Sequence, residues 1–249
     1  MTPVPEKHAP SAEPTRVNDY DSFAEAYTAE NATSLYNAYY EQPAMLELAG
    51  DVTGRRILDA GCGSGPTTAA LRDRGAIVTG IDSSAAMLEL ARQRLGADVD
   101  LRVADLAEPL PFAEGVFDDI VASLVLHYLR DWGPTLHELR RVLLPGGRLL
   151  VSVDHPFVAY GSQQLAGGSP NYFDTYNWTF NWTVGGRTVP MSFWVRPLHA
   201  MIDAFTTAGF RIAVISEPQP VPAARELFPE QYRALTTGPG FLFFVLEAV

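Results

Sequence analysis

Three acids and three glycines in the first half of the chain have the types and spacing to bind a ligand. Asp59 closes an apolar run, and Gly61, Gly63 and Gly65 follow at alternate positions in ILDAGCGSG, ahead of the helix-compatible TTAALRDRG. A buried strand that turns sharply into a helix through residues without side chains lets a ligand approach the backbone. The helix's first N–H groups are then free to hold it. The plainer alternative is a ligand-free glycine turn. Asp82 ends the run IVTGID, where a carboxylate can accept from both hydroxyls of a ribose, or can cap a helix beginning near Ser84. Asp105, in VADLAEPLPF, follows a third run and is positioned to accept from the exocyclic amine of a base, with a simple turn residue as the alternative. The G-x-G-x-G spacing departs from the G-x-G-x-x-G of dinucleotide sites and disfavours a nicotinamide or flavin ligand.

The elements that must position these residues alternate. Strands are expected over Arg56 to Gly61, Ile77 to Ile81, Asp100 to Val103, Phe117 to Leu124 and Arg148 to Asp154, with helices over Pro66 to Arg74, Ala85 to Leu95 and Trp132 to Leu143. That alternation predicts an α/β fold, a parallel sheet wound by right-handed crossovers. The third helix stops at LPGG, where Pro145 cannot continue it. Before the core, residues 18–50 predict a helical cap, with Tyr20, Phe23 and Tyr27 on one face, a second helix up to Pro43 and a third ending near Gly50. Residues 1–17, with four prolines among small and charged residues, predict a disordered tail. After the core at 55–154 comes an insertion at 155–194, rich in glycine, asparagine and aromatics, read as a long functional loop. Residues 195–249 resume with a helix from Pro197 to Ala208, a strand from Phe210 to Ile215 and a final strand from Phe241 to Ala248.

A 249-residue chain that is 47% hydrophobic can bury a full core, and its net charge of −11 argues against gripping nucleic acid or anionic lipid. No nucleic acid or membrane partner is expected. The single cysteine, Cys62, excludes an internal disulfide and fits a reducing compartment; inside the glycine turn it reads as a small tolerated side chain. No stretch approaches about 18 uninterrupted apolar residues, and a basic-then-apolar leader is lacking, so a soluble, cytoplasmic protein is expected. No metal ligands are assigned, and nothing sets the oligomeric state.

The segments LDAGCGSG, GIDSS, VADLAEPLPF, FDDIVASLVLHYL and LLPGGRL, in this order and approximate spacing, resemble the class I S-adenosylmethionine-dependent methyltransferases, and in particular their small-molecule members. The resemblance implies a Rossmann-like, doubly wound seven-stranded sheet whose last strand enters antiparallel. It also implies S-adenosylmethionine as cofactor: Asp59, Gly61 and Gly63 around the methionine part, Asp82 at the ribose, Asp105 and the Leu106 backbone at the adenine, and Ser123 beside the methionine amine. YDSFAEAY resembles the helix that closes over the cofactor, which would bring Tyr20 and Tyr27 to the pocket.

Methyl transfer from a sulfonium is an in-line displacement that needs alignment and dryness more than a base. Where a proton must leave, a histidine at the carboxyl end of a strand is the economical candidate. His155, after the fifth strand, fits first and His127, after the fourth, second; a wall or backbone-bonding role is the alternative for each. The insertion aromatics Tyr160, Tyr172, Trp178 and Trp194, with the cap tyrosines Tyr36, Tyr39 and Tyr40, are expected to build a chamber for a small-molecule acceptor, although core packing explains many of them equally well. Arg196 is the basic residue that could meet an acceptor carboxylate or phosphate. The expected activity is methyl transfer to an O, N or C atom in secondary or cofactor metabolism. A dinucleotide-dependent oxidoreductase, or an S-adenosylmethionine-binding protein without transfer, are the alternatives.

Overall fold

The structure, a computed structural model, describes residues 17–249. The tail expected over residues 1–17 lies outside the described residues, Val17 excepted.

The cap comprises a short 3-10 turn, Tyr20–Ser22, helix α1 (Ala24–Asn31), and a helical stretch in which a π-type turn, Asn37–Glu41, runs into α2 (Gln42–Ala49). Pro43 does not end this helix, as the sequence led us to expect. It falls in the first turn of α2, where a missing N–H is tolerated. The carbonyl four residues back, on Tyr39, instead accepts the N–H of Val221 at 2.8 Å.

The core then alternates as expected: β1 (Arg56–Ala60), α3 (Pro66–Asp73), β2 (Ile77–Asp82), α4 (Ala85–Leu95), β3 (Asp100–Val103), β4 (Phe117–Ser123), α5 (Gly133–Val142) and β5 (Leu143–Asp154). The fifth strand begins five residues earlier than expected. Leu143 already pairs with Phe117, and the register shifts before Asp119 pairs with Arg148. The LPGG segment is thus an irregularity within the strand rather than a turn ahead of it.

The insertion is not a structureless loop. It forms helix α6 (Pro156–Leu165) and an antiparallel hairpin of β6 (Tyr176–Val184) and β7 (Arg187–Val195). Gly185 and Gly186 make the two-residue turn with φ of +56° and +74°, the left-handed pair that a tight hairpin requires. Helix α7 (Leu198–Thr207), β8 (Phe210–Ser216), the short helices α8 (Ala224–Leu227) and α9 (Pro229–Thr237), and β9 (Phe241–Ala248) complete the chain.

The seven-stranded sheet has the order β3-β2-β1-β4-β5-β9-β8. Strands β1 to β5 pair in parallel, and β9 inserts antiparallel to both β5 and β8. Alternate residues of the central strands face opposite layers. Leu58, Ile120, Leu149 and Phe244 pack with Leu136, Leu139 and Phe205 of α5 and α7. Ile57, Val121, Leu150 and Phe243 pack with Met45, Leu46 and Leu71 of α2 and α3. Both faces being covered explains why β1 and β4 read as nearly continuous apolar runs. Strand order reverses between β1 and β4, so the crossovers diverge there and leave a crevice at the strands' carboxyl ends.

Candidate functional site

A cavity of about 710 Å³ opens at that crevice, roofed by α1 and the 37–41 turn. Its floor is the glycine turn. Gly61, Gly63 and Gly65 have φ of +81°, +54° and +78°. A Cβ at Gly61 would come within 2.6 Å of Val125, whereas one at Gly63 would meet nothing within 4 Å and would occupy the cavity itself. Cys62 is buried against Gly80, and burial pushes its thiol up, away from nucleophilic use.

Four acids surround this floor. Asp59 is 1% exposed; its Oδ2 accepts the Thr68 hydroxyl at 2.6 Å, while Oδ1 is buried with no partner among the described residues. Burial pushes its carboxyl up to about 7. Asp82 accepts the Gly63 N–H on Oδ2 and the Ser84 N–H on Oδ1, each at 2.8 Å, and burial raises it too. The helix-capping role left open for Asp82 belongs to Ser84, whose hydroxyl oxygen accepts from Met87 N at 3.1 Å. Exposed Asp105 accepts from Ala107 N on Oδ1 at 2.9 Å, and Leu106 beside it is buried. Glu41, not singled out in the sequence, is 3% exposed; its Oε1 accepts the hydroxyls of Ser123 at 2.5 Å and Ser152 at 2.6 Å, and burial raises its carboxyl. Asp73 is a further lining acid and Arg94 the one lining base among the described residues. Such a balance favours a cationic ligand.

The roof is held by tyrosines. The Tyr20 and Tyr128 hydroxyls are hydrogen-bonded, and the Tyr20 ring lies 5.0 Å from that of Tyr27. Burial raises all three phenols, so they stay neutral near pH 7. Phe180, Trp182, Val189, Met191 and Phe193 of the hairpin pack behind them with Phe23. Asp21, also missed in the sequence, fastens the N-terminal segment to α4 by accepting from the Ser84 hydroxyl at 2.6 Å and Ala86 N at 3.0 Å.

All nine residues expected at the cofactor, Tyr20, Tyr27, Asp59, Gly61, Gly63, Asp82, Asp105, Leu106 and Ser123, line this one cavity. Residues 58–151 match a family described as "Methyltransferase domain". A demethylmenaquinone methyltransferase of Clavibacter sepedonicus is 38% identical over 135 residues, 53% of this chain and 55% of that relative. An uncharacterized protein of Haemophilus influenzae is 29% identical over 255 residues, covering 94% of this chain and 97% of its own. A provisionally assigned S-adenosylmethionine dependent methyltransferase from Listeria monocytogenes has the same fold, with a TM-score of 0.68 and 25% identity over 84% of this chain and 95% of that one. Residues 58–151 thus carry a methyltransferase domain, within the fold of the S-adenosylmethionine-dependent methyltransferases. The match to the Clavibacter protein spans about half the length of each chain.

The expected bases and acceptor residues of this methyltransferase domain do not line the cavity. His155 caps α6, accepting from Phe157 N at 3.3 Å, and its Nε2 lies 2.9 Å from Glu217 Oε1. His127 is buried between Tyr128 and Phe193, with Asp154 Oδ2 at 3.9 Å from Nδ1, too far for a hydrogen bond; burial lowers its pKa and keeps the ring neutral. Tyr36 packs edge-on to Phe241 and Tyr39 against Phe228, and the Tyr40 hydroxyl accepts from Phe241 N at 3.0 Å. Tyr160 bonds Gln164, Tyr172 stacks on Phe157, Trp178 packs on Phe180, and Trp194 lies under the Arg130 guanidinium. Arg196 is 6% exposed over the Trp132 ring and donates to the Leu129 carbonyl at 2.7 Å; burial lowers it to about 10. Tyr160 lies in α6 and Tyr172 between α6 and the hairpin; Trp178 is on the same hairpin face as Phe180 and Trp182 but beyond the cavity lining, and Trp194 is on the opposite face.

The signal that would have found Tyr128 is its place after the fourth strand, one residue beyond His127. Nothing local marks Glu41, since what makes it a site residue is the distant pair Ser123 and Ser152.

Proposed function

We propose that this protein transfers the methyl group of S-adenosylmethionine to a small-molecule acceptor. The observation that carries the reading is the convergence, on one acidic cavity, of the left-handed glycine turn with Asp59, Asp82 and Asp105. Gly61 and Gly63 admit the donor's tail to the backbone, Asp82 takes the ribose hydroxyls, and Asp105 with the Leu106 backbone takes the adenine. The partnerless Asp59 Oδ1 fits a cationic, hydrogen-bonding ligand.

When bound, S-adenosylmethionine supplies an electrophilic methyl on a positively charged sulfur. The chain's own contribution is to orient and to exclude water. The hairpin and the tyrosines Tyr20, Tyr27 and Tyr128 cover the cavity with apolar surface and neutral phenols, which donate hydrogen bonds but do not act as bases near neutral pH. Among the described residues no histidine lines the cavity. A proton leaving the acceptor therefore passes to a lining carboxylate or to solvent.

Calorimetry with S-adenosylmethionine, followed by incubation with its methyl-labelled form and a panel of phenols, quinols, carboxylic acids and amines, tests the proposal. Binding together with labelled product is expected. Tight binding of NAD(P) with no response to S-adenosylmethionine would overturn it. Binding without labelled product across the panel would favour a protein that uses the cofactor otherwise.

A further inference from the structure

The cavity lining crosses the sheet in strand order. Asp105 follows β3, Asp82 ends β2, Asp59 lies in β1 and Ser123 ends β4. At about 4.8 Å between neighbouring strands, the lining runs about 14 Å from the Asp105 end to the Ser123 end. With the base at Asp105 and the ribose at Asp82, a nucleoside's amino-acid tail reaches the β1/β4 end.

Two carboxylates, Asp59 and Glu41, line that end near enough for one to act on the other, and each is half used. Asp59 has Oδ2 on Thr68 and a buried Oδ1 with no partner. Glu41 has Oε1 on Ser123 and Ser152, which are register partners on β4 and β5, while no donor reaches Oε2 among the described residues. Ser152 is committed, since its oxygen also accepts the Leu124 N–H at 3.0 Å. Both hydroxyls donate to Oε1, which leaves Oε2 to meet a ligand donor, and the nearness of Glu41 is among the causes, after burial, that raise Asp59. Two like charges in a buried space are costly unless a cation joins them. A sulfonium has no N–H to offer, whereas an ammonium has three. No cluster of three His, Cys, Asp or Glu side chains suited to a metal exists among the described residues.

We propose that Glu41, carried by the cap, joins Asp59 in seating the α-ammonium group of the methyl donor. Cofactor recognition then includes a charge reader from outside the sheet. This rests on the proposed function and extends it to a residue of the 37–41 turn.

The test compares S-adenosylhomocysteine, which bears the ammonium, with 5′-methylthioadenosine, which does not, by calorimetric titration of the full chain. Glu41→Gln keeps the shape and removes the charge. It should weaken S-adenosylhomocysteine about tenfold or more, as loss of a charge-assisted bond does, while leaving 5′-methylthioadenosine within about twofold. Equal loss for both ligands, or no loss for either, overturns the proposal. Retained 5′-methylthioadenosine binding also shows that the variant folds. If Glu41→Gln does not fold, the wild-type chain supplies the second measurement. The α-deaminated analogue of S-adenosylhomocysteine should bind about tenfold more weakly than S-adenosylhomocysteine, and equal affinity overturns the seat. A wild-type chain that binds none of these nucleosides overturns the parent reading and this one together, an outcome distinct from loss of selectivity alone.

Discussion

The Asp82 carboxylate accepts the Gly63 N–H at 2.8 Å, so the acid that ends β2 also holds the shape of the glycine turn after β1. Turn geometry and the proposed ribose contact therefore depend on one side chain. Asp82→Ala should weaken S-adenosylmethionine binding by about 1–3 kcal/mol, the scale of hydrogen bonds to a charged acceptor. Asp82→Asn, which keeps one acceptor oxygen, should lose less. Unchanged affinity of the alanine variant in a calorimetric titration would remove Asp82 from the site.

The Tyr20–Tyr128 hydroxyl pair ties the cap to the segment after β4. Each single change to phenylalanine should cost about 1 kcal/mol of stability, because one buried hydroxyl loses its partner. The double variant should cost clearly less than the two singles summed, because no orphan remains. Urea unfolding of the four proteins reads this coupling, and strict additivity would show that the pair contributes nothing as a pair.

Asp59 gives the unliganded protein a pH dependence of defined sign. Its carboxyl lies at about 7 in the folded chain against 3.8 ordinarily, so between these values the folded state holds a proton that the unfolded state has lost. The contribution of this group to stability is present in full below about 4 and falls as pH rises toward 7, by an amount on the order of a few kcal/mol. Melting temperatures from pH 5 to 7.5 should decline more steeply in the wild type than in Asp59→Asn. Parallel slopes would exclude Asp59 as their source.

His155 caps α6 and meets Glu217 outside the cavity. His155→Ala should lower stability by about 1 kcal/mol through the lost cap. Turnover should stay within about twofold, whereas removing a general base costs roughly 100-fold. A large fall in turnover with unchanged melting would return His155 to the chemistry.

Much of the cavity lining was legible because those residues are local to strand ends. Asp59, Asp82, Asp105 and the glycines each follow an apolar run, and a parallel sheet brings such positions to one edge whatever the loops do. The arrangement of the insertion was not. Tyr160, Tyr172, Trp178 and Trp194 were grouped by composition, yet they fall in a helix, a connection and two strands, and only within the hairpin does a period of two separate the face of Phe180 and Trp182 from that of Trp194. The alternation in TFNWTVGGRTVPMSFWV around Gly185 and Gly186 carried that information. Pro43 misled in the opposite way, since a helix continues through proline when the orphaned carbonyl finds another donor, and Val221 is 178 residues downstream of it.

That substitution of donors ties part of the roof to a distant part of the chain. The stretch from Leu35 to Ala49 is bolted to the far end of the chain through Tyr39 to Val221 and Tyr40 to Phe241, and to the sheet through Glu41. The arm from Tyr20 to Asn31 is held by Asp21 to Ser84, by Glu30 to the Gly185 N–H at 2.7 Å, by the Tyr20–Tyr128 hydroxyl pair and by the packing of Phe23 against the hairpin. Changes at Val221 or Phe241, neither of which lines the cavity of about 710 Å³, therefore reach it through the stretch that carries Glu41.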